Sequence, residues 1–148
     1  MIMKGSRAHS IIISQLNCCS VLGKFSLLES IVSETHSDIM FFSETWLQPN
    51  SIDENFLVIP SFSMHRRDRC SGGRRGGLLV YVKSCLSVCT NRRIDLEDES
   101  MECITLELFS PAPKHLLVFC YRPPNQSPEL FFNMISPVYF LKRRRNIL

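Results

Sequence analysis

The sequence lacks any long apolar run. Its hydrophobic stretches are only a few residues each, and the triplet Ile11-Ile12-Ile13 is followed at once by Ser14 and Gln15. A membrane-spanning helix needs about 20 apolar residues, and the apolar part of a secretory signal needs about 7–15. We therefore expect no membrane span, no secretory signal and no membrane partner.

Spaced cysteine pairs are also absent. Seven cysteines occur, an odd number with no CxxC motif and no regular interval, so neither a zinc site nor a disulfide framework is indicated. Several lie in apolar runs such as 117–120, where a reduced cysteine packs as a small hydrophobic side chain. Reduced cysteines are typical of a reducing compartment, so we expect an intracellular protein.

Most of the chain has no excess of positive charge. The formal charge of +3 comes from 17 basic and 14 acidic residues, but four of the basic residues lie in one run at 142–145. Outside that run, the chain has 13 basic and 14 acidic residues. The body of the chain is therefore not basic.

The residues that are present suffice for one domain with a core. The chain has 148 residues, of which 45% are hydrophobic, and a compact chain of this length can bury roughly 70% of its unfolded surface. Residues 11–16 and 38–42 are apolar runs of strand length, and apolar residues recur at helical spacing between 23 and 34. This order predicts a strand, a helix and a second strand.

Successive strands without intervening helices follow. The pattern predicts strands at 62–65, 77–83, 102–109 and 116–121, and Pro123 and Pro124 end the last one because proline cannot donate to a sheet. Side chains alternate from Ile104 to Phe109 as in a sheet with one wetter face. The sequence therefore predicts an α/β fold with antiparallel strand pairs.

Two polar side chains, Asn17 and Glu44, follow the first two strands at the same relative position. Functional groups converge at strand ends in α/β sheets, and a carboxylate with an amide oxygen suits Mg²⁺, which keeps several waters for a phosphate substrate. The alternative is structural, with Glu44 capping the following turn and Asn17 bonding local backbone. Spacing alone favours the structural interpretation.

Four segments occur in a specific order between residues 11 and 125. They are LNCCS at 16–20 with Lys24, DIMFFSETWL at 38–47, RRDR at 66–69 with GGLLVYV at 76–82, and YRPPN at 121–125. Together they resemble the endonuclease/exonuclease/phosphatase family, and more narrowly the endonuclease region that begins the polyprotein of non-LTR retrotransposons. The SETWL and YRPP segments argue against a lipid phosphatase of the same superfamily. The resemblance implies one half of a four-layer α/β sandwich, truncated in this chain. It implies a partial domain over residues 11–135, followed by a basic tail at 136–148 that does not belong to the family.

The resemblance also implies a site for phosphodiester hydrolysis. Glu44 matches the family's metal-binding glutamate, and Asn17 matches the asparagine that helps to build the metal and phosphate site. Tyr121 matches a catalytic tyrosine that ends a core strand and donates to the scissile phosphate. The implied cofactor is Mg²⁺, with Mn²⁺ as an alternative. The implied partner is the DNA phosphodiester backbone, and a functional protein would act in the nucleus.

The sequence departs from the family in the second half of the domain. There the family has an Asp-x-Asn segment and a closing Asp-His pair that activates the attacking water. Here no aspartate follows Asp98 and no histidine follows His115. We therefore expect little or no nuclease activity from this chain alone. We also expect an open apolar sheet face where the other half of the sandwich would pack.

A basic loop precedes the strand at 77–83. Phosphate contacts dominate DNA affinity, so nucleic-acid contacts are expected from this loop and beside Tyr121: Arg66, Arg69, Arg74, Arg75 and Arg122. The alternative is a solvated hairpin in which Asp68 and Arg69 form a structural ion pair. Trp46 is expected to pack the loop that follows Glu44, and the acidic stretch at 95–102 is expected to be a solvated loop.

Two functional hypotheses follow. In the first, the chain is the amino-terminal part of a Mg²⁺-dependent endonuclease domain that nicks target DNA, together with the remainder of a retroelement polyprotein if that is expressed. In the second, it is a catalytically dead remnant with weak, salt-sensitive affinity for nucleic acid.

Overall fold

The computed structural model describes residues 10–69, 75–97, 101–109, 114–129, 131–133 and 135–136. The predicted contact residue Arg74 and nearly all of the predicted basic tail, 137–148, lie outside these ranges. Within them, no helix has the length and apolar character needed to cross a membrane.

The first sheet has four strands, and a helix connects its first two. The strands are β1 (Ile13–Asn17), β2 (Ile39–Ser43), β3 (Phe62–Arg67) and β4 (Leu78–Lys83), in the spatial order β1-β2-β4-β3. β1 and β2 run parallel, and α1 (Phe25–Glu34) makes the crossover that a parallel pair requires. β4 is antiparallel to both of its neighbours. The predicted order of strand, helix and strand is confirmed.

A second sheet has three antiparallel strands with β6 in the centre. They are β5 (Thr90–Arg92), β6 (Glu102–Leu108) and β7 (His115–Tyr121), and a single turn of helix, α2 (Ser84–Ser87), lies between β4 and β5. The predicted strands at 102–109 and 116–121 are confirmed. β5 lies where the sequence predicted no strand, because its three residues are polar and carry no apolar alternation.

β2 is buried on both of its faces. Met40 and Phe42 pack with Tyr81 of β4 in the core beneath α1. Ile39 and Phe41 point the other way and pack against the second sheet. Successive side chains of a strand alternate between its two sides, so a strand buried on both sides is an unbroken apolar run in the sequence.

The second sheet covers one face of the first sheet, the face that was expected to be open. Leu106 and Phe119 pack in one core with Phe41 and Val80 of the first sheet, and the ring centroids of Phe41 and Phe119 are 5.4 Å apart. The expectation of an open face there was wrong. Alternation along a strand shows which side chains are buried, but it does not show which sheet the strand joins.

A buried ion cluster joins the two sheets. The side chain of Glu97 is only 1% exposed and accepts two hydrogen bonds from Arg92, at 3.0 and 2.8 Å. It also accepts the backbone N–H of Thr105 at 2.9 Å and contacts Arg67 of β3 at 3.3 Å. The prediction of a solvated loop was therefore wrong for Glu97, because arginines from both sheets neutralise its buried charge.

Removing the Glu97 carboxylate is expected to destabilise the protein. Glu97→Ala leaves Arg92 and Arg67 without this acid, and breaking a buried ion pair from one side costs about 3 kcal/mol or more. Asp95→Ala is the matched control, because the side chain of Asp95 is 61% exposed and pairs with Arg93 outside the core. Urea denaturation should show a much smaller loss for Asp95→Ala. Equal losses would mean that the Glu97 cluster does not join the sheets energetically.

Candidate active site

The carboxylate of Glu44 lies almost completely buried just after β2. The residue is 8% exposed, and its backbone has a φ of 59°, while Trp46 has a φ of 57°. For residues other than glycine, left-handed conformations cost on the order of 1–3 kcal/mol and persist only where the surrounding structure enforces them. The segment that follows β2 is therefore held in an unfavourable conformation around this acid.

Three donors bind the Glu44 carboxylate, and two of them come from distant parts of the chain. The Tyr121 hydroxyl donates to Oε1. The indole Nε1–H of Trp46 donates to Oε2 at 2.7 Å, and the backbone N–H of Gly76 donates to the same oxygen at 3.0 Å. Glu44 and Tyr121, matched to the family from separate motifs, are thus in direct contact.

The environment sets the protonation of both partners. Burial opposes ionisation of Glu44, but the bonds from Tyr121, Trp46 and Gly76, with the Arg69 charge nearby, outweigh burial and lower its pKa. Burial, followed by the bond to Glu44, raises the pKa of Tyr121 to about 12. At neutral pH the carboxylate is therefore ionised and the phenol keeps the proton that it donates.

Asn17 ends β1 at the same edge of the sheet. Its backbone pairs with Ser43, the residue before Glu44, in the parallel register of β1 and β2. Its exposed carboxamide oxygen accepts the backbone N–H of Cys19 at 3.2 Å and the Cys19 thiol at 3.3 Å. The structure thus brings the two strand ends together, and it also contains the local backbone bond that the structural interpretation of Asn17 described.

The oxygen donors at this edge suit a hard divalent cation. Glu44 supplies an ionised carboxylate and Asn17 an amide oxygen, and Mg²⁺ is usually bound by one or two carboxylates while it keeps several waters. No group of three His, Cys, Asp or Glu side chains with metal-binding geometry occurs among the described residues. The residues therefore fit an ion that takes part of its coordination from water and substrate, and do not form an all-protein metal cage.

A second carboxylate, Glu102, lies at the same site. It is the first residue of β6 and stands opposite Tyr121 in the β6–β7 register. Its Oε2 accepts the backbone N–H of Gly77 at 2.7 Å, and its Oε1 lies 3.1 Å from Nε of Arg69. Burial raises the pKa of Glu102. The solvated-loop prediction was wrong here as well, and pairing the predicted strands would have placed Glu102 beside Tyr121.

The predicted nucleic-acid arginines differ in their surroundings. Arg66 makes two 2.6 Å bonds to Asp68, so Asp68 does form an ion pair, with Arg66 as a partner. Arg69 contacts Glu102, and Arg122 donates to the carbonyl of Gln126 at 2.6 Å. Arg75 is exposed, and its guanidinium lies 5.9 Å from the centre of the Trp46 ring.

Gly76 is expected to tolerate alanine poorly. Its φ is +100°, and an added Cβ would lie 2.5 Å from Oε1 of Glu102, whereas Gly23 has a φ of +74° and open space around it. Both alanine variants carry the cost of a left-handed residue, roughly 1–2 kcal/mol. Gly76→Ala should lose more stability than Gly23→Ala in urea denaturation, since it must also displace Glu102. Equal losses would argue against close packing at this turn.

Comparisons with known proteins find similarity at the level of structure. No protein-family model matches the sequence, and no curated protein matches it significantly. The AP endonuclease LMAP from Leishmania major aligns with a TM-score of 0.61 and 18% identity, over 83% of this chain and 43% of that chain. The endonuclease domain of TRAS1, a telomere-specific non-LTR retrotransposon, aligns with a TM-score of 0.63 and 13% identity, over 86% and 53%. The catalytic domain of Xenopus laevis APE2 aligns with a TM-score of 0.57 and 12% identity, over 84% and 52%.

These three structures are nucleases that share one fold. The chain spans about half of their length. Likeness at such low sequence identity establishes a fold and not an activity. The fold that the four sequence segments predicted is confirmed: the chain has the endonuclease/exonuclease/phosphatase fold.

Proposed function

We propose that this chain is part of a metal-dependent endonuclease domain of a retroelement, which hydrolyses phosphodiester bonds of DNA. The observation that supports the proposal most directly is the contact between the Tyr121 hydroxyl and the ionised carboxylate of Glu44. A buried, ionised acid beside a phenol and an amide at one strand edge is suited to a cation and a phosphate. The nuclease neighbours, one of them a retrotransposon endonuclease domain, agree with this assignment.

In this proposal, Glu44 and Asn17 hold Mg²⁺ or Mn²⁺ through their side-chain oxygens. When bound, the ion supplies positive charge for the phosphate and for the leaving oxygen. Glu44 is ready for this role at neutral pH because its pKa is lowered by its three hydrogen bonds in spite of burial. Burial and the bond to Glu44 raise the pKa of Tyr121 to about 12, so at neutral pH the phenol carries a proton that it can donate to a phosphate oxygen that gains negative charge.

The base that activates the attacking water is a separate requirement. Among family members it lies in segments that contain Asp-x-Asn and Asp-His, and this sequence has no aspartate after Asp98 and no histidine after His115. Loss of one member of such a catalytic group commonly costs several powers of ten in rate. We therefore propose that the chain alone nicks DNA weakly or not at all.

Metal binding tests the role of Glu44 without requiring turnover. Electron paramagnetic resonance of free Mn²⁺, titrated with the full chain, should give a dissociation constant that Glu44→Gln raises by at least about tenfold, since it removes the charged ligand. Glu34→Gln removes an exposed carboxylate at the end of α1 and should leave the constant unchanged.

The same three proteins can be compared in a plasmid-nicking assay with Mg²⁺ and with a chelator. Any nicking that belongs to this chain should disappear with the chelator and in Glu44→Gln, and should persist in Glu34→Gln. Unchanged Mn²⁺ binding in Glu44→Gln would overturn the proposed metal site. Equal nicking by the wild type and Glu44→Gln would assign the activity to a contaminant.

A second candidate function is binding of nucleic acid without hydrolysis. The exposed guanidinium of Arg75, stacked near Trp46 beside Glu44, favours it. Each lost phosphate contact lowers the dependence of log affinity on log salt by about one unit. Arg75→Gln should therefore reduce this slope in fluorescence anisotropy with labelled DNA. Lys114→Gln should not change the slope, because Lys114 directly precedes β7 and Tyr121 ends that strand. Identical slopes for both variants would contradict this role of Arg75.

A further inference from the structure

The two glycines that precede β4 lie between two carboxylates. Gly76 donates its N–H to Glu44 at 3.0 Å, and Gly77 donates its N–H to Glu102 at 2.7 Å. Both glycines have positive φ values, +100° and +86°. Glycine adopts such conformations without the clash that a Cβ would cause. The turn thereby aims successive N–H groups at two different acids.

The same turn is bonded to the segment that carries Glu44. The backbone N–H of Thr45 donates to the carbonyl of Gly77 at 3.2 Å, and the N–H of Trp46 donates to the carbonyl of Gly76 at 2.8 Å. Thr45 Oγ1 lies within 2.5 Å of the place where a Cβ on Gly77 would be. Any shift of the two glycines therefore moves the backbone that directly follows Glu44.

Arg69 is joined to this turn through two neighbours of the glycines. Its Nε lies 3.1 Å from Oε1 of Glu102, which accepts the Gly77 N–H, and its Nη1 donates to the carbonyl of Arg75, directly before Gly76, at 2.7 Å. The side chains are 24% and 11% exposed for Arg69 and Glu102. A charged hydrogen bond that is mostly shielded from water is stronger than a solvent-exposed one. The pair is thus well placed to fix the turn.

We propose that Arg69 and Glu102 form a positioning pair that holds the Gly76–Gly77 turn, and through the Gly76 N–H and the Trp46 backbone keeps the Glu44 carboxylate oriented for a phosphodiester site. The importance of that orientation rests on the function proposed above. Neither member of the pair acts on substrate in this assignment. Arg69, predicted as a nucleic-acid contact, takes a role inside the site, and Glu102 gains a role that its place in an acidic stretch did not suggest.

The single tryptophan of the chain provides a local probe. Its indole N–H gives one resonance in a ¹⁵N–¹H spectrum and donates directly to Glu44. In Glu102→Gln without metal, we expect the indole resonance to shift and hydrogen exchange at the Gly76 amide to accelerate by at least about tenfold, as for a lost charge-assisted bond. Exchange at Val80, in the buried centre of β4, should change much less, because the effect is local.

Glu107→Gln is the matched control. Glu107 lies on the same strand and pairs with Arg93 at 3.4 Å. We expect an unchanged indole resonance and an unchanged exchange rate at Gly76. A purely structural role of Glu102 would instead accelerate exchange at Gly76 and Val80 equally and leave the indole shift of the folded state unaltered, which would overturn the proposal.

Arg69→Gln removes the other member of the pair and provides a second variant if Glu102→Gln does not fold. It should shift the indole resonance and accelerate exchange at the Gly76 amide. The double variant should show little change beyond the larger single effect, as expected for two residues acting as a unit. Additive effects, or no effect of Arg69→Gln, would overturn the pairing.

Broadening of the wild-type indole resonance by added Mn²⁺ tests the proposed function separately. Its absence would overturn the metal site and leave the positioning result as measured without metal.

Discussion

Burial of the Glu44 charge is the constraint on which the site depends. An ionised carboxylate removed from water is very costly unless hydrogen bonds replace its hydration. Here the replacements come from positions 46, 76 and 121. The donors at 76 and 121 can bind only if the turn before β4 and the end of β7 meet the end of β2. The stacking of the two sheets is therefore what makes a charged acid tolerable at this edge. The left-handed backbone at Glu44 and Trp46 is a local cost of the same arrangement.

The fold was predictable wherever burial leaves a continuous apolar signal. β2 and β4 are buried on both faces, so the apolar runs IMFF at 39–42 and LLVYV at 78–82 clearly predict strands. β5 was missed because TNR at 90–92 is polar and pairs with β6 through backbone bonds, which any residue can make. The face covered by the second sheet was missed for a related reason. The alternation in β6 is compatible with either sheet, and the choice between them rests on packing between residues far apart in the sequence, such as Phe41 and Phe119.

The site was predictable only where a motif marks it. Glu44, Asn17 and Tyr121 stand at strand ends inside recognisable segments, and the first and last of these are in contact. Glu102 and Glu97 were misread because five acidic residues close together look solvated when their partners are unknown. Some of those partners lie far away in the sequence: Arg92 is only 5 residues from Glu97, but Arg67 is 30 residues from it. Charge in a sequence therefore indicates exposure only after its counter-charges have been located.

The same reasoning applies to the arginines that precede β4. Counted along the sequence, they form a basic patch suited to DNA, yet Arg66 is bound by Asp68 and Arg69 by Glu102. A guanidinium already bound to a carboxylate contributes little net field to a phosphate at a distance, because the two charges cancel beyond a few ångströms. The charge that remains for a nucleic acid is concentrated at residues such as Arg75, which lies over Trp46 beside Glu44. The arginines that are adjacent in the sequence therefore fall into two groups. Some form ion pairs within the protein, and others are exposed and remain available to a nucleic acid.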